Sequence, residues 1–181
     1  MNIEDINYKE YEITTPFPKL NENNPKDAKT ASMIIDAYAG SKGELTASTQ
    51  YIYQSFIVEP LNEHFHRLLE LIAIKEMQHL EILSQILINQ GVNPKFCKYI
   101  DNNINICNNW STSNIKYITN IVEFLKYNIS LEKDAIKEYT NIIEKTPINN
   151  IKEIIARIIE DEKSHLTLFN KMLEIYENTQ K

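Results

Sequence analysis

Glu76-Met77-Gln78-His79-Leu80 and Glu162-Lys163-Ser164-His165-Leu166 are the two stretches on which the fold turns. Each sets a glutamate and a histidine three residues apart, which on a helix is about 60° around the axis, so both side chains face one neighbour. Phe65, Leu69, Ile72, Leu83 and Ile86 extend the first stretch at 3/4 spacing. Ile151, Ile155, Ile158, Phe169, Met172 and Tyr176 do the same for the second. The polar pairs therefore interrupt core positions.

Each stretch has a matching forerunner. Glu44-Leu45-Thr46-Ala47-Ser48-Thr49-Gln50-Tyr51 and Glu132-Lys133-Asp134-Ala135-Ile136-Lys137-Glu138-Tyr139 both read E-x-x-A-x-x-x-Y. Glu132 follows Glu44 by 88 residues and Glu162 follows Glu76 by 86, so one helical hairpin repeats at a nearly constant period.

Three glycines and six prolines punctuate the chain sparsely, which favours long helices. Residues 1–23, with Pro16 and Pro18, read as an extended N-terminal arm, and 24–181 as the bundle domain. Asn24-Pro25 supplies a cap and first helical position. The first helix then runs to about Val58, where Glu59-Pro60 stops it. The second spans Asn62 to Gln90-Gly91. Residues 92–113 lose the period and gather asparagines, which makes them a long connection. The third helix ends near Lys145, with Ile118, Ile121, Leu125, Ile129 and Ile142 on its stripe, and the fourth covers roughly 150–178. The expected fold is all-α: an up-down four-helix bundle with one long crossover between its second and third helices.

At 181 residues and 43% hydrophobic, the chain can enclose one sizeable core. A net charge of -6 and a pI near 5.3 argue against nucleic acid as a partner. No stretch approaches the roughly 20 apolar residues of a membrane span, and the acidic start has no signal-peptide core. The expectation is a cytoplasmic protein. Cys97 and Cys107 can build neither a disulfide framework nor a four-cysteine metal site, and read as inert loop thiols.

Glu44, Glu76, His79, Glu132, Glu162 and His165 thus converge as four carboxylates and two imidazoles, a donor set for two divalent metal ions. Two such ions cancel four buried negative charges that would otherwise cost several kcal/mol each. Tyr51 and Tyr139, seven residues after their glutamates, either hydrogen-bond a ligand carboxylate or pack in the core. Ala47 and Ala135 either leave room beside the metals for solvent or peroxide or serve simply as good helix formers. His64 and His66 point in different directions and fit a solvated helix end. Glu70, Glu81, Glu160 and Asp161 fall off the stripe and read as exposed acids. Tyr8, Tyr11 and Phe17 give the arm a surface that covers the bundle or a neighbouring subunit.

The four-part arrangement resembles the ferritin-like superfamily of dinuclear carboxylate proteins over most of residues 25–178. DAYAGSKGELTASTQYIYQSF (36–56) and IAIKEMQHLEIL (72–83) look like the manganese catalases, especially the short forms among spore-coat proteins, and like rubrerythrin-related proteins. Rubrerythrins carry a further glutamate where this chain has Ala135, and two C-x-x-C pairs that it lacks, which favours the catalase-like branch. Full-length manganese catalases are longer.

The resemblance implies a ferritin-like bundle, a metal pair of Mn or Fe, and hydrogen peroxide or dioxygen as substrate. It also implies a homo-oligomer and a spore association. Glu44, Glu76, His79, Glu132 and His165 would be ligands, with Glu76 bridging. Glu162 would be either a second bridging ligand or a catalytic acid/base beside bridging solvent. Peroxide disproportionation is the expected activity. The alternatives are iron oxidation or handling, and a structural or coat protein with a bound metal pair.

Overall fold

The computed structural model describes residues 2–100 and 103–179, the side chains of 98–107 and 179 excepted. Its architecture is the expected ferritin-like four-helix bundle, with the first bundle helix in two pieces, α1 (Ala28–Ala39) and α2 (Glu44–Val58). α3 (Glu63–Asn89), α4 (Ile121–Lys145) and α5 (Asn149–Thr179) complete it. α2 packs on α3 and α4 on α5, so the repeated hairpins of the sequence are the two halves of the bundle.

The break in the first helix corrects the continuous helix expected to Val58. A Cβ at Gly40 would stand 2.3 Å from the Asp36 carbonyl oxygen, and one at Gly43 would stand 2.3 Å from that of Ala37. Only glycine lets the chain fold back so closely, and Glu44 is thereby delivered as the first residue of α2. The helix also starts later than Pro25, at Ala28, because the Asp27 carboxylate caps the Thr30 N–H at 2.7 Å. α4 starts at Ile121 rather than before Ile118, capped by Asn120. α3 ends as expected, on Gly91 at φ 78, with the Val92 N–H returning to the Leu87 carbonyl at 2.9 Å.

The crossover contains an antiparallel hairpin of β1 (Cys97–Ile100) and β2 (Asn103–Asn109). Cys97 is buried, and the Cys107 side chain lies outside the described residues. Trp110 Nε1 donates to Thr46 Oγ1 at 2.9 Å, and the Gln50 amide exchanges two bonds with the Lys116 backbone, at 2.8 and 2.7 Å. These contacts pin the crossover to α2 beside Glu44.

Two apolar clusters fill the bundle. One gathers Ile34, Ile35, Leu83, Ile86, Ile151, Ile155 and Ile158; the other gathers Phe65, Leu69, Ile72, Phe124, Leu125, Phe169 and Met172. Each fully buried side chain of this kind contributes roughly 1.5–3 kcal/mol. Between Ala73 and Leu83 on α3, and between Ile159 and Leu168 on α5, lies the polar layer. The arm makes two 3₁₀ turns, Ile3–Asp5 and Tyr8–Glu10, and covers its own bundle, with Ile3 and Ile6 buried in the second cluster. No helix among the described residues is long and apolar enough to cross a membrane.

Candidate metal centre

All six expected donors meet in that layer: Glu44, Glu76, His79, Glu132, Glu162 and His165 are each at most 4% exposed. They form two groups, Glu44/Glu76/His79/Glu162 and Glu76/Glu132/Glu162/His165, within each of which one donor atom per residue lies within 4.8 Å of the others. Glu76 and Glu162 belong to both. Each group therefore has one glutamate and one histidine of its own and two shared carboxylates.

Both imidazoles present Nδ1 to the carboxylates. His79 Nδ1 lies 3.0 Å from Glu76 Oε2, 3.0 Å from Glu162 Oε1 and 3.7 Å from Glu44 Oε1. His165 Nδ1 lies 2.8 Å from Glu76 Oε1, 3.3 Å from Glu162 Oε2 and 3.9 Å from Glu132 Oε2. Yet Glu76 Oε1, Glu162 Oε1 and His165 Nδ1 are buried without hydrogen-bond geometry to any described group. Buried carboxylate oxygens without a partner are costly, and a cation held among these donors would satisfy them. Carboxylate and imidazole donors in this number fit a pair of Mn, Fe or similar divalent ions.

Electrostatics make the same point. Burial, then Glu76 and Glu162, push the Glu44 carboxyl well above its usual range, and burial, then Glu162 and Glu76, do so for Glu132. Burial also works against ionised Glu162, but the two imidazoles outweigh it and hold this carboxyl far below the ordinary range; Glu76 is lowered in the same way. Against the desolvation of their own charge, His165 is lifted to about 9 by Glu76 and Glu162, and His79 is held well above its ordinary value by Glu162 and Asp161. Without metal, protons take the place of the positive charge the layer demands.

Tyr51 donates to Glu132 and Tyr139 to Glu44, so each tyrosine reaches across to the glutamate of the other hairpin. Between α2 and α4 a narrow cavity lined by Ala47, Ala135, Glu44, Glu132, Glu76 and Glu162 has room for about one water-sized molecule. Lys42, which also lines it, pairs with Asp134 at 2.5 Å.

Three expectations are corrected. Asp161 is 2% exposed rather than a surface acid: its Oδ2 lies 3.1 Å from His79 Nε2 and 2.9 Å from Arg157 Nη1. One i,i+4 step from His165 was the available signal, together with an arginine a further turn back. His64 and His66 are half-buried and tied to the Ile6 and Ser55 carbonyls at 2.9 and 3.0 Å, not solvated, and they take no part in the site. Glu81 and Glu160 are exposed as expected; Glu70 is half-buried against Arg67 at 2.9 Å.

The family model for manganese containing catalase matches residues 18–92, and that for rubrerythrin matches residues 123–181. A manganese catalase from Anabaena superposes with a TM-score of 0.75 at 25% identity, covering 90% of this chain and 80% of its own. A Desulfovibrio desulfuricans bacterioferritin with a diiron site gives 0.66 at 18% identity, over 88% of this chain and 86% of its own. A Rhodobacter capsulatus bacterioferritin gives 0.67 at 20%, over 85% and 89%. No curated protein matched the sequence.

Proposed function

As a member of the ferritin-like dinuclear carboxylate superfamily, this chain, we propose, holds two divalent metal ions, manganese or iron, and disproportionates hydrogen peroxide. The observation that carries the reading is the pair of four-residue groups sharing Glu76 and Glu162. Glu44 and His79 would hold one ion and Glu132 and His165 the other, with Glu76 and Glu162 within reach of both. The likeness to manganese catalases supports peroxide over dioxygen as substrate.

A bound manganese or iron pair supplies a two-electron couple and Lewis acidity at one place. The protein's own part is positioning, exclusion and proton handling. Two electrons and two protons leave one peroxide as it becomes dioxygen and enter a second as it becomes two waters, so no outside reductant is consumed. Glu162, the second shared carboxylate, would either bridge the ions or carry those protons one at a time. Tyr51 and Tyr139 orient Glu132 and Glu44. Ala47 and Ala135 line the cavity with small side chains and so leave space beside the carboxylates for a small molecule.

The test is oxygen release from peroxide by metal-free protein reloaded anaerobically with Mn or with Fe. Fast release by the manganese form supports the reading. Iron uptake with dioxygen consumption and no release supports a second reading, iron oxidation, which the rubrerythrin match over the second hairpin favours. Inertness with both metals would leave a structural role. We further propose that the chain forms a homo-oligomer. Exposed Ile74, Met77 and Ile88 along α3 support this, and light scattering of the purified protein tests it.

A further inference from the structure

We propose that the two halves of the centre are unequal, and that the N-terminal arm, acting through Arg157 and Asp161, makes the Glu44/His79 half the tighter metal site. The inference rests on the dinuclear reading above.

The asymmetry is visible where the internal repeat should cancel it. Asp161 precedes Glu162 on α5, while the residue at that place on α3 is Lys75, half-buried and of opposite charge. Asp161 therefore serves the histidine of the other hairpin, His79, at 3.1 Å from Nε2, and the repeat offers His165 no equivalent. Among the described residues His165 Nε2 has no protein partner; its close contacts all run through Nδ1.

That difference bears on ligation. A neutral imidazole can coordinate through Nδ1 only when its proton sits on Nε2, and a carboxylate accepting from Nε2–H selects that tautomer, fixes the ring and makes Nδ1 a better donor. His79 has this support. His165 must find its tautomer and orientation as the ion binds.

Asp161 is itself held. Its ion pair with Arg157 spans 2.9 Å, and the Arg157 side chain is 5% exposed. Arg157 Nε donates to the Thr15 carbonyl at 2.6 Å and Nη2 to that of Ile13 at 3.0 Å. The Phe17 ring lies 4.6 Å from the guanidinium carbon and 6.2 Å, edge-on, from the His79 ring. Ser164 Oγ donates to the Tyr11 carbonyl. Residues 11–17 of the arm thus close over the back of His79 and fix the cation that fixes its carboxylate. Asp161 and Arg157 are positioning residues, acting through His79.

The experiment is a stepwise anaerobic titration of the metal-free full-length protein with Co²⁺, followed by calorimetry and by the cobalt ligand-field absorption. Wild type should take up two ions in separable steps, the tighter being the one that His79→Ala removes and the looser the one that His165→Ala removes. Asp161→Ala should weaken the tighter step about 10–100-fold and leave the looser one within a factor of about two. Asp161→Asn should fall between, because the amide oxygen still accepts the bond without the charge. Phe17→Ala should shift the same step in the same direction by less. A general loss of packing would move both steps together, and should Asp161→Ala not fold, the Asp161→Asn and Phe17→Ala variants carry the comparison. Two ions bound in steps that none of these variants shifts selectively, or a selective loss of the His165 step, overturns the inference and leaves the dinuclear reading standing. Wild-type protein that takes up no cobalt overturns both.

Discussion

The Tyr51 hydroxyl, rooted in α2, donates its hydrogen bond across the bundle to Glu132 on α4. Tyr139 returns the contact to Glu44, so two phenols lace the halves of the bundle through two glutamates of the buried polar layer. Burial and the adjacent glutamate push both phenols well above the usual tyrosine range, which keeps each one a donor.

Tyr51→Phe should therefore act on stability and on metal together. It leaves a buried Glu132 oxygen short of a donor, at a cost of about 1–3 kcal/mol, and frees the carboxylate to turn. The Tm of the metal-free protein should fall and Mn²⁺ affinity drop about 10–100-fold. Unchanged Tm with unchanged affinity would reduce Tyr51 to a packing residue.

Ligand deletion tests the donor set itself. His79→Ala or His165→Ala should lower bound metal from about two ions per chain to about one or fewer. Elemental analysis of the purified variants after dialysis decides it. Two ions retained in both variants would sink the assignment of the histidines.

The pH dependence follows from the protons that stand in for metal. In the metal-free layer burial and the neighbouring carboxylates raise Glu44 and Glu132, and the carboxylates raise both imidazoles, so loading divalent ions should release protons, measurable by calorimetry in buffers of different ionisation enthalpy. His165 titrates at about 9 in the fold against roughly 6.5 unfolded. Its contribution to the metal-free protein is thus complete below about pH 6.5 and lost as pH rises through 9. Over the same window, proton competition with metal weakens. The Tm difference between loaded and metal-free protein should widen from pH 6.5 to 8.5; a difference that narrows contradicts the protonation scheme.

The convergence of the six polar side chains was legible because helical period and internal repeat point to the same positions, and neither depends on distant partners. The break at Gly40 and Gly43 was not, because a glycine within a helical pattern is usually tolerated, and here the constraint is the approach of the Asp36 and Ala37 carbonyls. Asp161 was hidden for a different reason. It sits at the flank of the α5 stripe, where solvent is the ordinary outcome, and only His79 from α3 and Arg157 clamped by the arm bury it. The hairpin in the crossover carries only four alternating residues, Asn103-Ile104-Asn105-Ile106, within an asparagine-rich run, too short a signal to outweigh the turn-forming composition around it.

Glycine at 43 should be indispensable on the same geometry. Gly43→Ala puts a Cβ 2.3 Å from the Ala37 carbonyl oxygen, a backbone atom that cannot step aside. The chain must shift where it delivers Glu44, so stability should fall by about 1–3 kcal/mol and the Glu44/His79 site should lose affinity before the other. Denaturant melts and a cobalt titration read both effects. Wild-type values in each would show that the α1–α2 break is held by something other than glycine.

The last relationship concerns the register of α2 against α4. Gln54 Nε2 donates to Asn128 Oδ1 at 2.9 Å and Asn128 Nδ2 to Gln54 Oε1 at 2.6 Å, with both residues at 0% exposure. Such a closed amide pair adds little net stability, but it penalises any slip that would unpair it in the dry core. It lies four residues before Glu132 and ten after Glu44, so a slip would also misalign the two glutamates that face each other. Gln54→Leu alone strands a buried amide and should cost about 1–3 kcal/mol, as should Asn128→Leu. The double variant removes both amides and should recover much of that loss, giving a coupling energy of roughly 1 kcal/mol or more in a double-mutant cycle. Its metal content should nonetheless be less uniform than that of wild type, because an all-apolar contact tolerates more than one register. Additive single effects would show that the two amides do not act as a pair, and a double variant with full, uniform loading would show that the register of the glutamates is held elsewhere.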